Sequence, residues 1–316
     1  LMLRSMLSLE PATVTHRAYP ELFQTGETAF GRPIRDAQHP HDFLMELAAE
    51  YAYPIDAANV AYLYVAPAGD PALGPVAYPH RASAAELPQA TLAHHMQDST
   101  HIAANVITAG GKSGPLGAAL SVFHGGEPDE RRWNLNGGRI DSWSLRLTAD
   151  PTPNWSAQLS TGHLTHPEVL EPGNVQRTTA SVAYSAPTSL GMWSSTLIFG
   201  RNDRRHRTAT NSWTAETLLQ IAEINWITAR GEIVDRDELT GDGSMQRIHA
   251  LTLGYTRDLW QNSAVVAGAG GNFTLYDFAA ALEPVYGRSP RSAYVYVHVR
   301  SAGGHASMAG MSHTMH

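Results

Sequence analysis

The stretch Ser142-Trp143-Ser144-Leu145-Arg146-Leu147-Thr148-Ala149 decides the fold, because its apolar and polar side chains alternate strictly. The odd-numbered positions are apolar and the even-numbered positions are polar. Successive side chains of a β-strand point to opposite faces, so a period of two predicts a strand with one apolar and one polar face.

Strands of this kind recur along most of the chain. Segments of about ten residues are predicted near 141–149, 154–163, 176–185, 192–201, 212–221, 224–234, 246–257, 263–275 and 292–300. Residues 104–111 and 116–124 form a predicted hairpin, and residues 1–10 and 59–66 add two further strands. Short connections alternate with long ones. Short turns at one end and long loops at the other are typical of an outer-membrane β-barrel.

The composition agrees with an outer surface that does not face water. Charged residues make up only 16% of the 316 residues and hydrophobic residues 43%, below the usual shares of soluble proteins. The net charge of −7 and the absence of a long basic run argue against nucleic-acid binding. No cysteine is present, which excludes disulfides and thiolate ligands. A soluble sandwich or closed barrel remains the alternative, because it predicts the same alternation.

Aromatic residues lie near the ends of the predicted strands. In a membrane barrel such residues form girdles at the two interfaces. The residues expected in these girdles are Trp143, Trp155, Trp193, Trp213, Trp226, Trp260 and Tyr255.

Two long irregular segments interrupt the strands. We expect an antiparallel transmembrane β-barrel of about 12–14 strands in a single domain, residues 1–300, with insertions 11–58 and 67–103 as a plug of the lumen. Short helices are predicted in both insertions, including one capped by Asp42 and ended by Pro54. The strand count is about thirteen, whereas single-chain bacterial barrels have an even number. Either one strand is missed in residues 11–40 or further strands precede Leu1, and the strand-like start favours the second explanation and a processed or truncated precursor. With thirteen strands, the first insertion falls at the short-turn end.

The insertions carry two histidine-rich clusters. Gln38-His39-Pro40-His41-Asp42 places two imidazoles and a carboxylate around a proline that fixes their spacing. His94-His95-Met96-Gln97-Asp98-Ser99-Thr100-His101 places His94, Asp98 and His101 on one face if it is helical. Imidazole and carboxylate suit zinc, copper or nickel. The structural alternative is a capped helix and polar side chains that hydrogen-bond inside the barrel.

Two further groups are weaker candidates. His124 ends a strand before Gly125-Gly126-Glu127, where His124 or Glu127 would complete a site. The tail, residues 301–316, carries Met308, Met311 and His313, and thioether and imidazole together suit copper. An acidic loop and a disordered extension of accidental composition are the alternatives.

The motifs QHPHD at 38–42, HHMQDSTH at 94–101 and EPDE at 127–130 resemble a family of uncharacterised bacterial outer-membrane barrel proteins. The resemblance covers nearly the whole chain, and it extends more loosely to the outer-membrane copper-resistance proteins of the B type. It implies an outer-membrane location, further strands before Leu1 and a connection with copper. This chain carries its Met/His-rich segment at the C-terminus instead of the N-terminus, so an N-terminal copper-loading role does not transfer directly.

Three functions are compatible with these observations. The first is an outer-membrane barrel that binds a transition metal, with copper favoured and zinc possible. Its predicted ligands are His39, His41, Asp42, His94, His95, Asp98, His101, His124, Met308, Met311 and His313. Outer-membrane lipid, a periplasmic metal-handling protein and other subunits are its expected partners. The second is a metalloenzyme with a His/Asp site in the lumen, and the third is a plain pore or structural barrel.

Overall fold

The computed structural model describes residues 1–14, 18–98, 103–168 and 173–302, with Glu27 described by its backbone alone. The strands are β1 Met2–Leu7, β2 Tyr19–Ala29, β3 Arg32–Gln38, β4 Leu44–Pro54, β5 Asn59–Gly69, β6 Ala103–Ser113, β7 Leu116–His124, β8 Ser142–Thr152, β9 Trp155–Leu164, β10 Val175–Pro187, β11 Met192–Arg204, β12 Thr210–Ile221, β13 Asn225–Arg236, β14 Gln246–Gln261, β15 Val265–Phe278 and β16 Arg291–Ser301. The helices are α1 Glu10–Thr13, α2 His94–Gln97 and α3 Glu283–Tyr286, with single 3-10 turns at Tyr78–His80, Ala82–Ala84 and Ala280–Leu282.

Fourteen strands form one sheet, in the order β1-β4-β5 and then consecutively to β16. Every neighbouring pair along this order is antiparallel, as in β1 with β4 and β15 with β16. The predicted all-β antiparallel fold with short helices in its insertions is therefore confirmed. Within the described residues, β1 and β16 are the two edges of the sheet. Strands β2 and β3 pair separately as a hairpin in the first insertion.

The two faces of the sheet are inverted relative to a soluble protein. On β14, Leu251, Leu253 and Tyr255 are about half exposed, whereas Thr252 and Thr256 are buried. The same pattern holds on β8, where Trp143, Leu145 and Leu147 are exposed and Ser142 and Ser144 are buried. A soluble barrel would expose the polar side chains instead. An exposed apolar band around a buried polar interior is the arrangement of a membrane-spanning barrel.

Most of the predicted aromatic residues lie on this outer face. Trp143 and Trp213 stand near the long-loop end, and Trp155, Trp193 and Trp260 near the short-turn end, each 41–54% exposed. Tyr255 is 47% exposed and faces outward too. Trp226 does not belong to a girdle. It is 1% exposed, because it shares the inward parity of Thr228 and Arg230 on β13, and it packs under the Arg300 guanidinium at 4.4 Å.

The predicted helix between Asp42 and Pro54 is wrong, because this segment is strand β4. Its register with β1 and β5 makes it part of the wall. Glu46 faces inward, where it accepts a hydrogen bond from the Tyr64 hydroxyl at 2.8 Å and lies 3.2 Å from Arg4. The strand that the sequence count lacked is therefore β4. The first insertion ends at Phe43, and it leaves from the long-loop end of the sheet, as the second insertion does.

The second insertion crosses the polar inner face. Backbone N–H groups of Ala72 and Gly74 donate to the Ser121 and Ser160 hydroxyls at 2.7 and 2.8 Å. Farther along, Arg81 binds Glu216 on β12 with Nε to Oε2 at 2.8 Å. The Leu92 N–H donates to Glu232 on β13 at 2.7 Å. This insertion is thus attached to the wall from β7 to β13, and residue 94 begins α2 at a fixed place.

None of the described helices is both long and apolar enough to span a membrane.

Candidate metal centre

Four histidines from the two insertions come together on the inner side of the sheet. His39, His41, His94 and His95 are each 5% exposed or less. One ring nitrogen from each of His39, His94 and His95 lies within 4.8 Å of the others. The ring of His41 has its centroid 5.6 Å from that of His39 and 5.9 Å from that of His94.

Local structure fixes each histidine pair. Strand β3 ends at Gln38, whose Oε1 accepts a hydrogen bond from Gln24 Nε2 at 2.6 Å, so His39 leaves the hairpin at a defined point. The His41 N–H donates to Glu10 Oε2 at 2.7 Å. In the other insertion, α2 is a single helical turn that holds His94 and His95 side by side, with ring centroids 5.0 Å apart.

Each of the four imidazoles turns its Nδ1 to an oxygen acceptor. His41 contacts Glu10 Oε2 at 2.9 Å, and His94 contacts Asp98 Oδ1 at 2.8 Å. His95 contacts Glu127 Oε1 at 3.1 Å. His39 contacts the Pro40 carbonyl oxygen at 3.1 Å. Metal-binding histidines almost always donate their other ring N–H to a carboxylate or a backbone carbonyl in this way.

These contacts determine the tautomer of the rings. A carboxylate and a carbonyl are acceptors only, so the hydrogen of each contact must lie on Nδ1. In a neutral ring, Nε2 then carries the lone pair that a metal needs. Burial lowers the pKa of His94 to about 4, although its hydrogen bond to Asp98 acts in the opposite direction. His94 is therefore neutral at pH 7.

Asp98 is held rigidly behind His94. Its Oδ2 accepts a hydrogen bond from the Tyr78 N–H at 2.8 Å and binds the Arg81 guanidinium. Arg81 in turn binds Glu216, which also accepts from Arg230 Nε at 3.0 Å. The orientation of the His94 ring is thus linked to strands β12 and β13.

The other predicted ligands lie elsewhere or outside the described residues. Asp42 accepts hydrogen bonds from Asn136 at 2.8 Å and Arg132 at 3.4 Å, and Asp98 faces His94 as an acceptor. His124 contacts the Arg139 carbonyl oxygen at 3.0 Å, and it belongs to neither group of described residues that brings three ligand atoms together. His101, Met308, Met311 and His313 lie outside the described residues.

Two acidic residues that sequence reasoning did not select lie beside this cluster. Glu10 orients His41 from 31 positions earlier in the chain. Glu168 joins His95 and Glu127 in a second group whose ligand atoms lie within 4.8 Å of one another. No local motif marks either residue, because the fold of the insertions and loops brings them to the histidines.

Solved structures that are similar to this chain include bacterial outer-membrane proteins. An anion-selective porin from Comamonas acidovorans is similar with a TM-score of 0.43 and 14% identity, over 81% of this chain and 87% of that chain. A loop L8 deletion mutant of OmpT, an outer membrane protein of Vibrio cholerae, is similar with a TM-score of 0.46 and 9% identity, over 81% of this chain and 90% of that chain. No family model and no curated protein matches the sequence. The alternating strands of this chain, with their exposed apolar and buried polar faces, indicate a membrane barrel without this similarity.

Proposed function

We propose that this chain is an outer-membrane β-barrel that binds one divalent transition-metal ion, copper(II) foremost, between its two insertions. The observation that supports this most is the uniform arrangement of His39, His41, His94 and His95. All four are buried, and all four have Nδ1 on an acceptor oxygen. Hydrogen-bonded polar residues in a barrel interior do not require such a shared orientation.

The donor set favours copper(II) over other ions. Nitrogen donors from neutral imidazole suit zinc, copper, iron and nickel, and affinity along the divalent first-row series is greatest for Cu²⁺. Met96, the nearest thioether in sequence, packs with Phe23 and Val234 in an apolar cluster. Copper(I), which prefers sulfur, is the less suitable oxidation state. Zinc is the second choice.

The distances between the ligand atoms allow one ion to bind after a small movement of the side chains toward each other. Metal–imidazole bonds are about 2 Å long, so opposite ligand atoms of one ion are about 4 Å apart at most. The ligand atoms of His39, His94 and His95 lie within 4.8 Å of one another and thus need to move by less than about 1 Å, whereas His41 lies outside this group and has to move farther. With His41 drawn in, four imidazoles would fill a four-coordinate shell, whereas a metalloenzyme needs an open position for water or substrate. We therefore propose binding rather than catalysis.

The second insertion occupies the interior, so the interior is not an open pore. Residues of this insertion form a buried ion pair with Glu216 and hydrogen bonds with strands from β7 to β13, so the chain crosses the inner face. This supports a metal-binding barrel over a plain pore. Outer-membrane lipid is the expected surroundings of the apolar band, and a periplasmic metal-handling protein is an expected partner, in line with the resemblance to copper-resistance proteins.

The test is metal analysis of the untagged full-length protein, purified without chelator and then titrated with Cu²⁺ or Zn²⁺. We expect one tightly bound Cu²⁺ per chain whose electron paramagnetic resonance spectrum shows coupling to imidazole nitrogen. Replacement of His94 or His39 by Ala should remove this signal. His206→Asn is the matched control, because His206 is an exposed loop residue with positive φ that Asn tolerates.

The tail needs a separate experiment, since its methionine and histidine side chains are metal ligands of their own. A full-length variant with Met308, Met311 and His313 replaced by Ala should keep the nitrogen-coupled Cu²⁺ signal. If it loses capacity for copper only under reducing conditions, the tail is a separate copper(I) site. Copper that is unaffected by His39→Ala and His94→Ala in folded protein would contradict the proposal.

A further inference from the structure

A cavity lies on the side of Asp98 that faces away from His94. It has a volume of about 190 Å³ and is lined by the second insertion on one side and by inward-facing residues of the wall on the other. Pro71, Leu73 and Val76 give the insertion side an apolar surface. Ser156 and Ser185, near the short turns, belong to the wall side. The cavity therefore lies toward the short-turn end, away from the metal centre and its long loops.

Two opposite charges face this cavity without pairing with each other. Asp70 follows β5, and its Oδ1 is buried with no hydrogen-bond partner among the described residues. Arg146 on β8 donates to the Gly74 carbonyl oxygen at 3.4 Å and interacts with Tyr62. Within the described part of the chain, no carboxylate oxygen forms an ion pair with its guanidinium at 4.0 Å or less.

The other charges of the cavity already have partners. Arg4 lies 3.2 Å from Glu46 and 3.9 Å from Glu50, and Arg81 binds both Asp98 and Glu216. His80 lines the cavity too, but burial lowers the pKa of its imidazole, so it carries no charge at pH 7.5. Asp70 and Arg146 are thus the charged groups that remain for a ligand.

Asp70 is short of compensating charge. Burial raises the pKa of Asp70 to about 6, and the charge of Glu46 adds to this rise, while Arg4 and Arg146 oppose it from a distance. A buried carboxylate that lacks a direct counter-ion is costly. A cationic group within hydrogen-bond distance of Oδ1 would remove that cost.

We propose that this cavity binds a small zwitterion, an α-amino acid with a small apolar side chain. Its ammonium group would bind Asp70, and its carboxylate would accept paired hydrogen bonds from Arg146, the geometry that guanidinium favours. The side chain would lie against Pro71 and Val76. A simple anion would leave Asp70 uncompensated, and a simple cation would face Arg146.

The size of the cavity agrees with this class of ligand. A cavity of about 190 Å³ is large enough for several water molecules. Alanine and valine have six and eight non-hydrogen atoms and fit this space. The proposal does not depend on the metal centre, since Asp98 and Arg81 separate the two.

The first test is isothermal titration of the full-length, metal-free protein in detergent at pH 7.5, with L-alanine and L-valine. Metal-free protein is required because amino acids chelate copper. Propionate and ethylamine are matched probes, because each keeps one charged group of alanine and lacks the other. We expect both to bind roughly 10- to 100-fold more weakly than alanine, the usual effect of losing one charged hydrogen-bond pair.

The second test removes the charges of Asp70 and Arg146 one at a time. Asp70→Asn should weaken alanine binding roughly 10- to 100-fold but leave propionate binding unchanged or stronger. Arg146→Gln should weaken alanine binding and leave ethylamine binding unchanged or stronger. Asp242→Asn and Arg288→Gln are the controls, since both residues are exposed and lie outside the cavity.

The two variants distinguish a specific site from a water-filled space. No heat from alanine or valine at millimolar concentration with folded wild-type protein would overturn the proposal. Equal affinity of the wild type and of both variants for alanine would overturn it as well. Near-ultraviolet circular dichroism shows whether each variant is folded, so a loss of binding is interpreted only for native protein.

Discussion

At the scale of single residues, the metal centre depends on hydrogen bonds to Nδ1 as much as on the imidazoles themselves. Three of the four rings use a carboxylate, from Glu10, Asp98 and Glu127. Such outer partners orient the ring and raise its basicity, and their loss typically weakens metal binding 10- to 100-fold, as a rough guide. Glu127 is the most suitable of the three to test, because its side chain is only partly buried.

Glu127→Ala should weaken Cu²⁺ binding by roughly 10- to 100-fold, whereas Glu127→Gln should weaken it less, because the amide oxygen still accepts from His95 Nδ1. Competition with a chelator of known copper affinity measures both. Equal affinities for the wild type and Glu127→Ala would show that His95 does not bind the ion through Nε2.

Asp70 provides a second prediction at this scale. Its pKa in the folded protein, about 6, lies above the value of about 3.9 expected for the unfolded chain. The folded state therefore binds more protons between these values, and the contribution of Asp70 to stability falls as the pH rises from about 4 to about 6.

Asp70→Asn removes this penalty, so the variant should be more stable than the wild type at pH 7.5 by on the order of 3 kcal/mol. The difference should vanish below about pH 3, where the wild-type carboxyl is largely protonated in both states. Urea unfolding at a series of pH values, followed by tryptophan fluorescence, measures it. A wild type that is the more stable protein at pH 7.5 would mean that Asp70 has a counter-ion in the folded protein.

The partners of these residues show where sequence reasoning reaches its limit. The clusters around His39 and His94 are visible as motifs, and their meeting follows from two insertions that share one barrel. Glu10 is not visible in this way, because it lies 31 positions from His41. Glu127 is a candidate in the sequence, but its pairing with His95, 32 positions away, follows only from the fold. The prediction that Trp226 lies on the outer face is wrong, because a position near a strand end does not determine which face a side chain points to.

At the scale of elements, β4 shows how a strand can be mistaken for a helix. Leu44, Leu47, Ala48 and Tyr51 repeat at positions i, i+3, i+4 and i+7, the spacing of a helical face. Pairing with β1 and β5 decides the outcome, because it gives Glu46 and Glu50 buried positions beside Arg4. The regular strands from residue 141 onward were predictable, since their alternation is not masked by a competing period.

The inverted faces lead to a prediction for β14. Leu253 lies at the middle of the apolar band, between outward-facing Arg247 and Arg257, and Leu259 lies near its short-turn edge. In a bilayer, arginine at the midplane costs about 2–4 kcal/mol and near the interface about 0–1 kcal/mol. Leu253→Arg should therefore reduce the free energy of unfolding from phosphatidylcholine vesicles by about 2–4 kcal/mol, and Leu259→Arg by about 1 kcal/mol or less.

The two substitutions also separate the membrane barrel from a soluble one. An exposed leucine on a soluble protein tolerates arginine, so both variants would then lie within about 0.5 kcal/mol of the wild type. Equal and small effects at the two positions would contradict the membrane face of the sheet.

At the scale of the whole molecule, the metal centre is a junction between separately anchored parts of the chain. The first insertion contributes His39 and His41, and the second contributes His94 and His95. The long loop after β7 contributes Glu127. Each part leaves the wall from the long-loop end. An ion bound between them adds a direct link to the hydrogen bonds that already connect these parts, such as the one from the Phe43 N–H to the Arg132 carbonyl oxygen at 2.7 Å. This is why a bound ion should change the dynamics of the insertions more than those of the wall.

Copper should therefore slow amide hydrogen exchange in residues 18–43 and 70–98 when it is added to metal-free protein in detergent. An ion at 100 times its dissociation constant stabilises the state that binds it by about 2.7 kcal/mol, so openings that release the ion should become about 100-fold rarer. Strands β10 to β13 provide an internal control, because their exchange does not require the centre to open. His94→Ala should abolish the slowing in both insertions together, since neither retains a complete site. Slowing confined to one insertion would show that the ion binds within that insertion and does not join the two.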